Sequence, residues 1–176
     1  FAVGDAVYAM VRFPSGLAGG SRTCAFLVGI GLFEAGGFPI YLFLMRDYDE
    51  EPAQLHALAA VLDRLRAIVS FNGKSFDIPL LEARFTMTRQ ARQLGSAPHL
   101  DLLPVSRRIW KHRLESCALS NLEEEVLGVR RTQEDVPGWL IPELYWKYVR
   151  SRDASDMPRI FYHNAQDILS LVVLAA

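Results

Sequence analysis

The sequence predicts an α/β fold: a mixed central sheet, with three antiparallel strands followed by parallel strands, flanked by helices. Two observations lead there. Apolar runs without helical period occupy the first quarter of the chain, at Val3–Phe13, Ala25–Phe33 and Phe38–Arg46, separated by turn-forming residues. From Asp49 onward helical and strand patterns alternate, so that a fourth strand returns beside the first. Composition agrees, since 51% of the 176 residues are apolar and 22% charged, which suits a globular core and excludes a disordered chain.

Charge and cysteine usage narrow the classes. The formal net charge is −1, so any affinity for nucleic acid must come from a local patch rather than from the whole field. Cys24 and Cys117 stand far apart without metal-ligand spacing, which points to a reduced, cytoplasmic protein. No apolar run reaches membrane-spanning length and no signal peptide is visible, so no membrane partner is expected. One domain over residues 1–176 is the natural count. An abrupt start at Phe1 and an apolar pattern still running at Ala176 suggest a piece of a longer chain with a flanking domain.

The elements follow in order. After the first strand, Phe13–Ser21 is a turn-rich connection. Ala25–Phe33 is apolar throughout, as a strand buried on both faces should be. Glu34-Ala-Gly-Gly makes a hairpin turn into the third strand, with Tyr41, Phe43 and Met45. Acidic residues and Pro52 open a helix whose stripe is Leu55, Leu58, Ala59, Leu62 and Leu65. Ala67–Phe71 is the fourth strand. His99–Leu103 is a further short apolar strand, with His99 and Asp101 two apart and on one side. Ser120-Asn-Leu-Glu123 reads as a capping box for a helix ending at Gly128. Asp135–Trp139 is a turn, and Pro142 starts an aromatic helix with Leu144, Tyr145, Tyr148 and Val149. A last helix runs from about Arg159 to the end, with His163 and Asp167 four apart on one face.

The most informative stretch is Val69–Phe85. It leaves the fourth strand, turns at Asn72-Gly73 and enters a helix with Phe76, Leu80, Leu81 and Phe85 on its apolar face. Asp77 falls in the first turn, where the helix dipole favours a carboxylate, at the carboxyl end of a strand, where open α/β sheets place ligands. Ser75 as a cap with Asp77 as a dipole complement is the plainer reading of the same residues. Between Arg84 and Arg113 seven Arg or Lys residues face a single acid, Asp101. That run is either a solvated surface or a patch that tracks a phosphate backbone.

The order of three segments resembles a known pattern. Phe71-Asn-Gly-Lys-Ser-Phe-Asp77, His99-Leu-Asp101-Leu-Leu and Tyr162-His-Asn-Ala-Gln-Asp167 are similar to the second motif, the following strand and the third motif of the ribonuclease H-like 3′–5′ exonuclease superfamily (the DnaQ-like or DEDD group). Gly16-Leu-Ala-Gly-Gly-Ser and Ala25-Phe-Leu-Val-Gly resemble the first hairpin of its YprB-type branch. The resemblance implies a ribonuclease H-like fold and phosphodiester hydrolysis with two divalent ions, Mg²⁺ or Mn²⁺, held by carboxylates. It implies Asp77 and Asp167 as two of the metal-binding acids and His163 as the candidate base, with Asp101 a further metal ligand if an ion is held without the first motif. His163 stands at the Tyr position of the tyrosine subgroup, and Tyr162 at the His position of the other. Nucleic acid, as a single-stranded end, would be contacted by Asn72, Lys74, Arg84, Arg107, Arg108 and Lys111.

The first family motif, Asp-x-Glu before Gly-Leu, falls on Val11-Arg12-Phe13 when aligned on Gly16-Leu17. Val11 and Phe13 replace both carboxylates, and neither Asp5 nor Glu34 is an obvious substitute. Mg²⁺ needs six oxygen ligands in strict geometry, so the expectation is a catalytically impaired member, a pseudoenzyme, that retains nucleic-acid binding. An active metal-dependent 3′–5′ exonuclease is one alternative. A protein-interaction scaffold using the aromatic residues of Trp139–Tyr148 is another.

Overall fold

A computed structural model describes residues 24–132 and 135–176, together with the backbone of residues 8–12. Among the described residues the sheet has five strands, in the order β3-β2-β1-β4-β5. These are β1 (Tyr8–Arg12), β2 (Leu27–Leu32), β3 (Ile40–Leu44), β4 (Ala67–Ser70) and β5 (His99–Asp101). β2 lies antiparallel to β1 and β3, whereas β4 runs parallel to β1 and β5 parallel to β4. Phe13, the connection to Ser21, and the parts of the first strand before Tyr8 lie outside the described residues.

Strand β2 explains how the layers close. Its even-numbered residues Val28, Ile30 and Leu32 enter a core with Leu55, Leu58 and Leu62 of helix α1 (Glu51–Leu62) and Ile78, Leu81 and Phe85 of helix α2 (Asp77–Met87). On the opposite face β2 carries Gly29 and Gly31. A Cβ on Gly29 would lie 1.8 Å from Asn164 Oδ1, and one on Gly31 would lie 2.3 Å from the Phe38 ring. Bare backbone there lets the last helix, α6 (Met157–Ala175), settle directly on the sheet, with Ile168 against both glycines. Strand β4 alternates in the same way: Ile68 joins the α1–α2 core, and Val69 joins Leu102, Leu103, Leu122, Ile168 and Leu171 on the other face.

The hairpin at Glu34–Gly37 forms as its sequence requires, with Glu34 and Gly37 exchanging both backbone bonds and Gly37 at φ 145°. Pro52, Pro142 and Pro158 each sit in the first turn of a helix, where the missing N–H has no intrahelical role. Tyr145 of helix α5 (Ile141–Ser151) is fully buried, stacked on Phe26 at 3.9 Å between centroids, and its hydroxyl donates to the Met45 carbonyl.

Five local expectations are corrected. Leu102 and Leu103 do not extend β5: Asp101 caps a helix there, α3 (Leu102–Trp110), and both leucines enter its buried face. Helix α2 starts at Asp77 without a side-chain cap, so Ser75 does not cap it. Phe76 is 42% exposed rather than part of the apolar face. Helix α4 (Leu119–Glu125) likewise lacks a side-chain cap: Ala118 stands at its N-cap, Ser120 falls inside its first turn, and Glu123, expected to close a capping box, turns to Arg131 and Ser170. Burial of Tyr145 also removes it from any exposed aromatic surface, where Trp139 and Trp146 remain.

Candidate functional site

The turn from β4 to α2 is built around two polar side chains that β5 brings beside it. Asn72 adopts the left-handed conformation at φ 66°, which Asn tolerates better than most residues. Gly73 must lack a side chain, since a Cβ there would lie 2.3 Å from Ser70 Oγ. Ser70 Oγ accepts from the Gly73 amide at 3.2 Å and lies 2.7 Å from His99 Nε2. Burial, and then the Lys74 charge, hold the His99 imidazole below its ordinary pKa. The ring is therefore neutral at pH 7 and can accept the Ser70 hydroxyl proton.

Asp101 anchors the same turn from below. Its carboxylate accepts the backbone amides of Asn72 at 2.8 Å, Lys74 at 3.0 Å and Leu103 at 3.1 Å. Those bonds account for its burial without a metal. Asp77 is also buried, in the first turn of α2, with Oδ2 3.6 Å from where a Gly73 Cβ would stand. The side chains of Asn72 and Lys74 point outward from the turn as exposed residues.

Asp167 belongs to a second cluster, on α6. His163, one turn earlier, places Nε2 3.7 Å from Asp167 Oδ2. Its Nδ1 lies 2.8 Å from Asp135 Oδ1 and 3.0 Å from Arg131 Nη1. A protonated Nδ1 donates to Asp135, and a bare one accepts from Arg131. Gly138, in the turn that follows Asp135, lies against the His163 ring: a Cβ on it would be 3.7 Å from Nε2.

Arg131 is the centre of this cluster, and its role was not legible in the sequence. Its Nε donates to Glu123 Oε2 at 2.6 Å and its Nη2 to Glu123 Oε1 at 2.7 Å; Nη2 also pairs with Asp167, and Nη1 with Asp135 at 3.2 Å. Ser170 completes Glu123 by donating to Oε1 at 2.6 Å. Burial disfavours the guanidinium charge, but the hydrogen bonds and charges of Glu123 and Asp167 outweigh it and raise the Arg131 pKa further. The Glu123, Arg131 and Asp167 side chains are only 1%, 12% and 3% exposed. Two like charges 4 Å apart repel by about 4 kcal/mol at an effective dielectric of 20, so three gathered carboxylates require this cation.

A divalent metal fits these residues poorly. Among the described residues no three His, Cys, Asp or Glu side chains gather into a group that could hold one. Asp101 is engaged by amides, and an oxygen of Asp167 by a guanidinium. In the first strand Val11 pairs with Ser70 of β4 and Ile30 of β2, so a valine occupies the central strand beside the point where the second-motif turn departs.

The basic run divides in two. Arg84 forms an ion pair with Glu51, its Nε 2.6 Å from Oε1 and its side chain 13% exposed, and Arg92 pairs with Asp63. Arg107, Arg108 and Lys111 lie on the solvent face of α3 and just beyond it, exposed and without an ion pair among the described residues. No helix among the described residues is long and apolar enough to cross a membrane.

Comparison with known proteins agrees with this architecture. The chain is similar to the uncharacterized protein YprB of Bacillus subtilis (strain 168), with 33% identity over 161 residues, covering 91% of this chain and 38% of that protein. The chain thus spans well under half the length of that relative. Its fold is similar to part of the family B DNA polymerase from the hyperthermophilic archaeon Pyrobaculum calidifontis. That likeness has a TM-score of 0.73 at 16% identity and covers 97% of this chain and 24% of that one. A family model described as the RNase_H superfamily matches residues 15–176, and the chain belongs to that superfamily.

Proposed function

We propose that this chain is a nucleic-acid-binding domain of the 3′–5′ exonuclease type whose catalytic centre is impaired. The observation that carries the reading is the register of the central strand. Val11 pairs with Ser70, the last residue of β4 before the second-motif turn, and alignment on Gly16-Leu17 would put the family's metal-bridging carboxylate at that position. An isopropyl group offers no ligand, and Asp77 and Asp167 would be left to hold Mg²⁺ or Mn²⁺ nearly alone. The ligand in this reading is a single-stranded end of DNA or RNA in a reduced, cytoplasmic setting. Arg107, Arg108 and Lys111 would follow its phosphates, with Lys74 and Asn72 at the turn.

One observation favours a second reading, an active metal-dependent nuclease. The His163 ring is fixed by Asp135 through Nδ1 and turns Nε2 toward Asp167, an orientation that suits a base beside the third-motif carboxylate. The scaffold reading draws on Trp139, which is 77% exposed beside the His163 turn.

End-labelled single-stranded DNA and RNA, incubated with Mn²⁺, separate these readings. The impaired reading expects no shortening beyond that of an Asp77→Ala, Asp167→Ala control. Laddering that the control abolishes establishes the active one. Binding that does not weaken with salt points to the scaffold.

A further inference from the structure

We propose that Arg131 is a built-in cation that has taken the place of a divalent metal at Asp167. The inference rests on the impaired-centre reading above and deepens it. All five guanidinium N–H groups have acceptors when His163 Nδ1 is unprotonated: Glu123 through Nε and Nη2, Asp167 through Nη2, Asp135 and His163 through Nη1. A surface arginine that happened to pass by would not be saturated in this way. Glu123 is itself held by Ser170, three residues after Asp167 on the same helix, so the cation is anchored by the element that carries the third motif.

The exchange has a chemical consequence. A divalent ion neutralises carboxylates, and it also binds water and makes it nucleophilic. A guanidinium is permanently charged and presents a planar fork of donors to carboxylates. It has no open coordination position, so it keeps the charges of Glu123, Asp135 and Asp167 together without activating water. The cluster then needs no metal to remain assembled, and binding of nucleic acid at the β4–α2 turn becomes metal-independent.

The test uses the whole chain without nucleic acid, so its outcome is separate from whether nucleic acid binds. Mn²⁺ is titrated by calorimetry into the wild type and into Arg131→Gln, and the melting temperature is followed with Mn²⁺ and with EDTA. For the wild type the expected result is no Asp167-dependent Mn²⁺ binding and the same Tm in both conditions. Arg131→Gln is expected to bind Mn²⁺ at least about tenfold more tightly than the wild type, with Tm rising with metal concentration. Adding Asp167→Asn should abolish that gain. If Arg131→Gln fails to fold, Arg131→Lys keeps a charge while giving up the fork, and should show a smaller gain. Asp167-dependent Mn²⁺ binding by the wild type, or a folded Arg131→Gln with no gain, overturns the proposal. The wild-type comparison decides even if neither variant folds.

Discussion

Asp101 and Asp167 are both buried carboxylates that the sequence offers as metal ligands, yet their surroundings differ. Asp101 meets two backbone amides of the β4–α2 turn and one of α3, while Asp167 meets a guanidinium from 36 residues earlier and an imidazole one turn earlier on its own helix. Two of those amides belong to the turn that β4 and α2 hold at either end and the third to α3, so the Asp101 half is pre-formed and neutral in its partners. The Asp167 half depends on a balance of full charges, three carboxylates against one arginine, with the His163 ring bonded among them. A buried carboxylate can therefore persist in a nuclease fold for reasons that need no metal, and the two halves should fail differently when disturbed.

The largest effect is expected in the charged half. Arg131→Met leaves Glu123 and Asp167 buried without their cation and should lower stability by about 3–5 kcal/mol in urea denaturation. Asp101→Ala should cost less, about 2–3 kcal/mol, because it strands three amides and removes the cap of α3 but leaves no lone charge. A reversed order of these two would mean that the amide clamp, not the arginine, holds the site. Gly29→Ala tests the layer beneath both. Its Cβ would collide with Asn164, and a loss of about 1–3 kcal/mol is expected, with α6 displaced from β2.

Two smaller effects sharpen the contrast. Replacing Arg107, Arg108 and Lys111 by Gln should change stability by no more than about 0.5 kcal/mol each. The same triple change should reduce the salt dependence of single-strand binding by about 2 in log–log slope, if all three contact phosphates. The smallest effect is the pH response of the turn. The folded His99 pKa lies below its unfolded value, so the unfolded chain takes up the proton first as pH falls. Stability should decline as pH drops through the ordinary imidazole value and level off below the folded pKa. Urea denaturation of His99→Gln across that range should lack this part of the slope.

Much of the fold could be read from the sequence because its cues are local. The all-apolar β2, the Glu34–Gly37 turn, the first-turn prolines and the Leu55–Leu58–Leu62 stripe each specify their element within a few residues. The errors came where a side chain had two possible partners. Glu123 satisfies the spacing of a capping box, yet a buried guanidinium eight residues on is the stronger partner. Leu102 and Leu103 read as strand residues because the helix that Asp101 caps begins directly at the end of β5. Spacing brought His163 and Asp167 together correctly, but Arg131 lies 36 residues before Asp167, and no local period could reveal that pairing.

Binding without metal-dependent cleavage can be read from one titration. An end-labelled single-stranded oligonucleotide is bound at low salt in EDTA and again in Mn²⁺, and affinity and label length are read from the same samples. The account predicts equal affinity in both conditions and a label of unchanged length. Affinity that appears only with Mn²⁺, or a label that shortens in it, would contradict the account.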